Sequence, residues 1–344
     1  MIERFIKPHI LNMKPYVSAR SIGSTPILMD ANESPFGDSL NRFNRYPDPN
    51  HRKLRSLLAE RENLAVDQIL ISNGSDEALD LLFKATISPG DQIMAMYPSY
   101  GMYRVFAEMY NAYCRTVDLD SQFDLDLRAI ESAKSNRLKL ICLCHPNNPT
   151  GNCLSIDRIE TVLKKADALV LVDEAYIDFC PEKSVRPLLE IYPNLIISRT
   201  FSKAYALAGL RVGYLLANSR LVQILQGIKL PYNINSFSLK AAEDVFERRS
   251  KICDQIDSII NTKSLLIEAL RQFKWIDEIY PSDANFVLIK TAHADDFYAF
   301  CLQQGISLRK LSDLPDCLRI SIGSPNDCRM LINCAELFVV RAAI

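Results

Sequence analysis

Apolar and polar positions along this chain change their period from one third to the next. Between about Gln68 and Val212, short apolar runs are each closed by a polar cluster: Gln68-Ile69-Leu70-Ile71-Ser72, Gln92-Ile93-Met94-Ala95-Met96, Leu138-Lys139-Leu140-Ile141-Cys142-Leu143-Cys144, Ala168-Leu169-Val170-Leu171-Val172 and Leu195-Ile196-Ile197. The run at 168–172 does not alternate, which predicts a strand covered on both faces, as in a parallel sheet. Ser75 to Lys84 repeats its apolar positions at helical spacing, with Ser75 as the expected N-cap. Strand and helix alternating over this stretch predict an α/β architecture, a mainly parallel sheet between crossover helices. Before it lie an irregular arm rich in Pro and Asn and a helical stretch from His51 to Glu62; after about Ser219 the chain turns helical, including Leu239 to Ala269, and then offers the strands Ala284 to Ile289 and Cys317 to Ile322. We read a large domain over 41–245 and a smaller α+β domain over 246–344, with the N-terminal arm, 1–40, forming part of the smaller one.

Composition narrows the function class. The chain has 344 residues, 40 basic against 41 acidic, for a formal net charge of -1, so no charge-driven attraction to nucleic acid or membrane is expected. Ten Cys without paired spacing and no N-terminal signal pattern predict a reducing, cytoplasmic setting. No apolar run approaches a transmembrane length, and there are no internal repeats.

The candidate chemistry sits where strands end. Lys203 follows the run Leu195-Ile196-Ile197 within Ser198-Arg199-Thr200-Phe201-Ser202-Lys203, and Arg211 lies eight positions on. An amine flanked by hydroxyls and followed by a guanidinium suits a Schiff base to a phosphorylated aldehyde, with pyridoxal phosphate the candidate. Asp173 emerges at the carboxyl edge of its strand, where open α/β sheets place ligands, and would keep a pyridine nitrogen protonated. Asn148, in the turn His145-Pro146-Asn147-Asn148-Pro149-Thr150-Gly151, and Tyr176, in Asp173-Glu174-Ala175-Tyr176, would both serve a phenolate oxygen. Gly74 before a helix start permits close approach of phosphate to backbone amides, with Arg211, Thr200 and Ser202 completing the shell. Tyr100, in Tyr97-Pro98-Ser99-Tyr100, would stack on the ring. Taken singly, Lys203 reads as a loop lysine and Asp173 as a helix N-cap; their combination at successive strand ends is what points to a cofactor. Cys142, Cys144 and His145 invite a metal, but with no second Cys/His cluster at ligand spacing we expect buried structural thiols and no metal site.

The ordered set Asn73-Gly74-Ser75-Asp76-Glu77, Tyr100, Asn148-Pro149-Thr150-Gly151, Asp173-Glu174-Ala175-Tyr176, Ser202-Lys203 and Arg211 resembles the fold-type I PLP-dependent aminotransferases of class I/II, over nearly the whole chain. The resemblance implies Lys203 as the cofactor-linking amine and proton shuttle, Asp173 at the pyridine nitrogen, and Asn148 with Tyr176 at the phenolate oxygen. It also implies Ser75, Asp76, Arg211 and one of Thr200 and Ser202 around the phosphate, with Tyr100 on the ring face. Leu11 to Tyr16 followed by Ala19-Arg20, Asp30 to Pro35, Asn44 to Asp48 and Leu318 to Gly323 are similar to the histidinol-phosphate branch of that family, departing at Ser34, where that branch usually has Asn. That branch implies transfer of an amino group between L-histidinol phosphate and 2-oxoglutarate, in histidine biosynthesis. It also implies Arg309 and Arg319 at the substrate phosphate, Tyr16 and Asn32 in the substrate pocket, Tyr46 reaching into the neighbouring subunit's site, and hence a homodimer. Rival readings are a decarboxylase of a phosphorylated amino acid such as threonine phosphate, an aromatic aminotransferase, and a ligand-sensing module on the same fold.

Overall fold

The computed structural model describes residues 2–22, 27–37 and 43–342. The apolar runs become the strands β1 (Ile69–Ser72), β2 (Gln92–Tyr97), β3 (Tyr113–Asp118), β4 (Leu138–Cys144), β5 (Leu169–Asp173), β6 (Leu195–Thr200) and β7 (Gly213–Ala217). They form one sheet in the order β1-β7-β6-β5-β4-β2-β3, parallel except for β7, which runs antiparallel to both neighbours. Because side chains alternate across a strand, Ile141, Leu143, Val170 and Val172 enter one core while Leu140, Cys142, Leu169 and Leu171 enter another on the opposite face. This explains why β5 shows no polar alternation: helices cover both of its faces.

The downstream third builds a second sheet from β8 (Glu278–Ile279), β9 (Phe286–Lys290), β10 (Arg309–Lys310) and β11 (Cys317–Ser321), in the order β10-β11-β9-β8. Its core holds Trp275, Phe297 and Phe338, with Trp275 4.7 Å from the Phe297 ring and 5.3 Å from the Phe338 ring. Glycine at 305, in the left-handed region at φ 78°, turns the chain out of the helix Ala294–Gln303 toward β10.

Four expectations need correction. The helix after β1 runs Gly74–Thr86, so Asn73 rather than Ser75 is its N-cap; the left-handed φ of 73° at Gly74 lets the helix begin one residue earlier. β6 continues to Thr200, because the polar Ser198 and Arg199 are buried and their backbones complete the ladder with β7. The expected helix from Leu239 to Ala269 is two helices, Ser236–Glu247 and Arg249–Leu270, broken at Arg248. The arm does not simply join the small sheet: Ile2, Phe5 and Ile6 lie in a core of the large one, and Lys7 N–H bonds to Ala85 O at 2.9 Å.

Candidate active site

Strand register alone brings the chemistry together. Cys144 on β4 is paired with Asp173 on β5, and Asp173 with Ser198 on β6. Thr200 on β6 is paired with Gly213 on β7, and Gly213 with Ser72 on β1. The carboxyl ends of β4, β5, β6 and β1 and the start of β7 therefore form one row, and the loops leaving the first four carry Asn148, Tyr176, Lys203 and the helix start at Gly74. Only glycine fits at 213, where a Cβ would lie 2.5 Å from Ser75 N and 2.6 Å from Gly74 C. The result is a cleft lined by Ser75, Asp76, Tyr100, Cys144, Asn148, Asp173, Ala175, Tyr176, Thr200, Ser202, Lys203 and Arg211. Ten of these are candidate site residues by sequence; Cys144 reads there as a structural thiol, and Ala175 carries no role.

Asp173 is the buried anion of the cleft. Its Oδ2 accepts from the Tyr103 hydroxyl at 3.0 Å, while Oδ1 is buried without a partner. Burial pushes its carboxyl up to about 6; the Tyr103 hydroxyl opposes that push and the Asp76 carboxylate adds to it. Tyr103 escaped sequence reasoning because a tyrosine on the apolar face of the helix Met102–Met109 looks like core. Tyr100 donates to Asp76 Oδ1 at 3.2 Å and packs edge-on against Tyr103. Burial raises the Tyr100 and Tyr176 hydroxyls above their ordinary range, so both are protonated donors at neutral pH.

Lys203 borders the open cleft and is exposed on that side, yet enough protein surrounds its amine to lower its pKa. Desolvation is the leading cause, helped by the Arg319 and Arg211 guanidiniums and resisted by Asp173 and Asp76. The amine lies 5.6 Å from the Tyr176 ring centroid and takes no hydrogen bond or ion pair among the described residues. Arg211, in the left-handed region at φ 54°, directs Nη1 to Ser202 Oγ at 3.3 Å and Nη2 to Asp76 Oδ2 at 3.4 Å. A Cβ on Gly74 would meet Arg211 Nη2 at 2.5 Å, so glycine is what lets the guanidinium reach the helix start. Thr200 Oγ1 accepts from Ser202 N at 3.1 Å, tying the two hydroxyl residues to the same rim.

Arg319 enters from the small sheet. Its Nη1 donates to Asn148 Oδ1, which fixes that amide with Nδ2 left to donate, and its guanidinium stacks 5.2 Å from the Phe286 ring centroid. Its Nε is buried and unpartnered. Arg309 lies directly opposite Arg319 in the β10–β11 ladder, and like charges at such positions repel. Desolvation lowers the Arg319 pKa, Tyr176 resists it, and the Arg309 charge adds a lesser push downward. No carboxylate pairs with either guanidinium among the described residues. Of the remaining candidates, Tyr16 is 78% exposed and Asn32 and Tyr46 line a separate cavity with Glu33 and Phe237, so none of the three reaches the Lys203 cleft within this protomer. Tyr46 stacks on Tyr232 with ring centroids 4.3 Å apart.

These groups fit a pyridoxal phosphate. The orphaned Asp173 oxygen matches a protonated ring nitrogen, the Gly74 turn with Arg211 matches a phosphate, and the Lys203 amine is free to condense with an aldehyde.

Residues 25–334 match the model of the aminotransferase class I and II family. A histidinol-phosphate aminotransferase of Christiangramia forsetii is 40% identical over 339 residues, 96% of each chain. The structure of histidinol-phosphate aminotransferase from Sinorhizobium meliloti in complex with pyridoxal-5'-phosphate superposes with a TM-score of 0.81 at 23% identity, covering 91% of this chain and 90% of that one. L-threonine-O-3-phosphate decarboxylase from Porphyromonas gingivalis superposes with a TM-score of 0.76 at 24% identity, covering 88% and 93%. At such identities the two superpositions establish the fold alone.

Proposed function

This chain belongs to the class I and II aminotransferases, and from that premise we propose that it moves an amino group between L-histidinol phosphate and 2-oxoglutarate with pyridoxal phosphate as cofactor. The observation that carries the substrate class is the pair Arg309 and Arg319, opposed across one ladder with no carboxylate between them. Two guanidinium forks suit a phosphate dianion. Such like-charged neighbours lower the stability of a two-stranded edge unless an anion joins them.

When bound, pyridoxal phosphate supplies an aldehyde for imine exchange with amines and a ring that takes up the electrons released at the substrate carbon. Ser75, Asp76, Thr200, Ser202 and Arg211 hold its phosphate end, Tyr100 its ring face, and Asn148 Nδ2 with the Tyr176 hydroxyl its phenolate oxygen. Asp173 keeps the ring nitrogen protonated, and Tyr103 orients that carboxylate through Oδ2. Lys203 Nζ, its ammonium form disfavoured by burial and two guanidiniums, takes the proton from the substrate carbon that bears the amine. Arg319 anchors the phosphate of one substrate and a carboxylate of the other, while Arg309 adds the second fork for the phosphate. Tyr16 and Asn32, which do not reach the cleft within one protomer, would close the substrate side only in the assembled dimer.

The arm favours a homodimer. Large apolar side chains between residues 13 and 46 are exposed, among them Met29 at 91% and Phe36 at 87%, and such clustering marks an interface. A second copy would cover them and bring Tyr46 to the neighbouring subunit's cleft. We assign the protein to the cytoplasm, a reading supported by ten free thiols; no helix among the described residues is long and apolar enough to cross a membrane. We divide the chain at about residue 245, with the large sheet before it and the small sheet after it.

The test is to incubate the protein with histidinol phosphate and 2-oxoglutarate and measure glutamate. Release of carbon dioxide from threonine phosphate without glutamate would replace this reading by the decarboxylase, whose fold is the same.

A further inference from the structure

Glutamates are rarely buried unless their charge is paired. Glu33 lies in an irregular stretch between the exposed Asn32 and Ser34, yet its side chain is only 3% exposed. Its oxygens gather donors from both directions along the arm. Oε1 accepts from the Tyr46 backbone N–H at 2.7 Å, and Oε2 accepts from Arg45 Nη1 at 2.9 Å and from Arg20 Nη2. Arg20, itself buried, also donates to Asp30. Burial alone would raise the Glu33 pKa, but the Tyr46 amide and the two guanidiniums hold the carboxyl below its ordinary range, so these contacts favour its charged form. One carboxylate thus fixes the backbone at Tyr46, where no helix or strand does so. Asn32, Glu33, Arg45 and Tyr46 line one cavity, and Glu33 is not among the residues lining the Lys203 cleft of its own protomer.

We propose that Glu33 is a positioning residue acting across the subunit boundary: by holding the Tyr46 backbone it sets that side chain in the cofactor cleft of the neighbouring subunit, not its own. A charged acceptor bonds an amide more strongly than a neutral one, and a Gln in its place offers one oxygen to three donors. The inference rests on Tyr46 reaching the neighbouring cleft, as proposed above.

Cofactor-free mixed dimers of two differently tagged chains are titrated with pyridoxal phosphate. The visible absorbance that needs Lys203 then reports a single cleft, because the other chain carries Lys203→Ala. In the first dimer Glu33→Gln sits on the Lys203→Ala chain and the parent chain supplies the reporting cleft; its half-saturating concentration rises about tenfold, the worth of one charge-assisted bond. In the second, Glu33→Gln sits on the chain with the reporting cleft, and half-saturation stays within about twofold of the dimer of Lys203→Ala with the parent. Tyr46→Ala in the same two arrangements follows the same pattern. Should Glu33→Gln not assemble, Arg45→Met, which removes one partly exposed donor, gives the shift of the first dimer at about threefold. Equal shifts in both dimers, a shift confined to the second, or no shift in either while Tyr46→Ala keeps its pattern each overturn the proposal. A chain that stays monomeric, or a Tyr46→Ala chain that spares its neighbour's cleft, overturns instead the placement of Tyr46 on which it rests.

Discussion

Asp173→Asn should make the cofactor-free protein gain stability over the parent as pH rises while weakening its hold on the cofactor, two effects of opposite sign from one atom. Burial holds the Asp173 carboxyl near 6 against an ordinary value of 3.8, so the native cofactor-free state keeps a proton that the unfolded chain gives up earlier. Stability therefore falls as pH rises through the interval between those values, by about 3 kcal/mol over the whole of it and on the order of 1 kcal/mol between pH 5 and pH 8. An amide at 173 has no such titration, and the Tyr103 hydroxyl can still donate to its oxygen. The amide nitrogen inherits the place of the unpartnered Oδ1 and costs about 1–3 kcal/mol at every pH. Urea unfolding of both cofactor-free proteins at fixed protein concentration separates the two contributions. The stability of Asp173→Asn relative to the parent should grow by on the order of 1 kcal/mol from pH 5 to pH 8, whatever the constant offset. Pyridoxal phosphate should reverse the order at pH 8, because only the carboxylate forms an ion pair with a protonated ring nitrogen. A difference that is flat between pH 5 and pH 8 would refute the assignment of Asp173 as the desolvated acid of the cleft.

Lys203→Ala should leave the melting temperature of the cofactor-free protein within about 2 °C, since the amine bonds to nothing in the fold, and should abolish both the visible absorbance on adding pyridoxal phosphate and glutamate formation. Arg309→Ala should lower kcat/KM for the phosphorylated amine about 10- to 100-fold, the worth of a charge-assisted fork, and change the dephosphorylated analogue less than about threefold; equal losses for the two would remove the phosphate argument. Arg199→Met should destabilise the protein by about 3–5 kcal/mol in denaturant titration, because it strands Glu62 and Glu174, which the buried guanidinium contacts at 2.8 and 2.7 Å.

Most of the cleft was legible because its residues obey a local rule: each polar group sits where a buried strand stops, and parallel neighbours put all such stops on one edge. Asp173, Asn148 and Lys203 needed nothing beyond that. Arg309 and Arg319 are different, since only the antiparallel register of β10 and β11 sets them face to face, and β10 is two residues long, too short to carry a period. Tyr103 was hidden by its apolar surroundings, and the Asn73 cap was misplaced because Ser75 is an equally good capping residue by composition. Arg248 broke the long helix without Pro or Gly to announce it. The arm resisted reading for another reason: its large apolar residues are exposed within the protomer, so no intrachain period constrains them.

The same physical feature marks the cleft throughout. An unpartnered Asp173 oxygen, two opposed guanidiniums, a desolvated Lys203 amine and a positive-φ glycine each lower the stability of the chain that carries them. Glu174, by contrast, is matched: it accepts from Arg199, Ser184 and the Val185 amide, leaving no lone polar atom. An unmatched group is tolerable where a ligand's complementary group will meet it, and the signs here are specific. The buried Asp173 carboxylate, the Arg211 and Arg319 guanidiniums and the Lys203 amine, whose pKa burial lowers, all border the cleft. A ligand relieving all of them must carry a protonated ring nitrogen, a phosphate and an aldehyde, and must react with a partner bearing a second anionic group. Binding such a ligand raises native stability in proportion to the logarithm of its concentration over its dissociation constant. The cofactor should therefore protect the large sheet against unfolding far more strongly than inorganic phosphate, which satisfies the Gly74 turn but leaves Asp173 and Lys203 as they were.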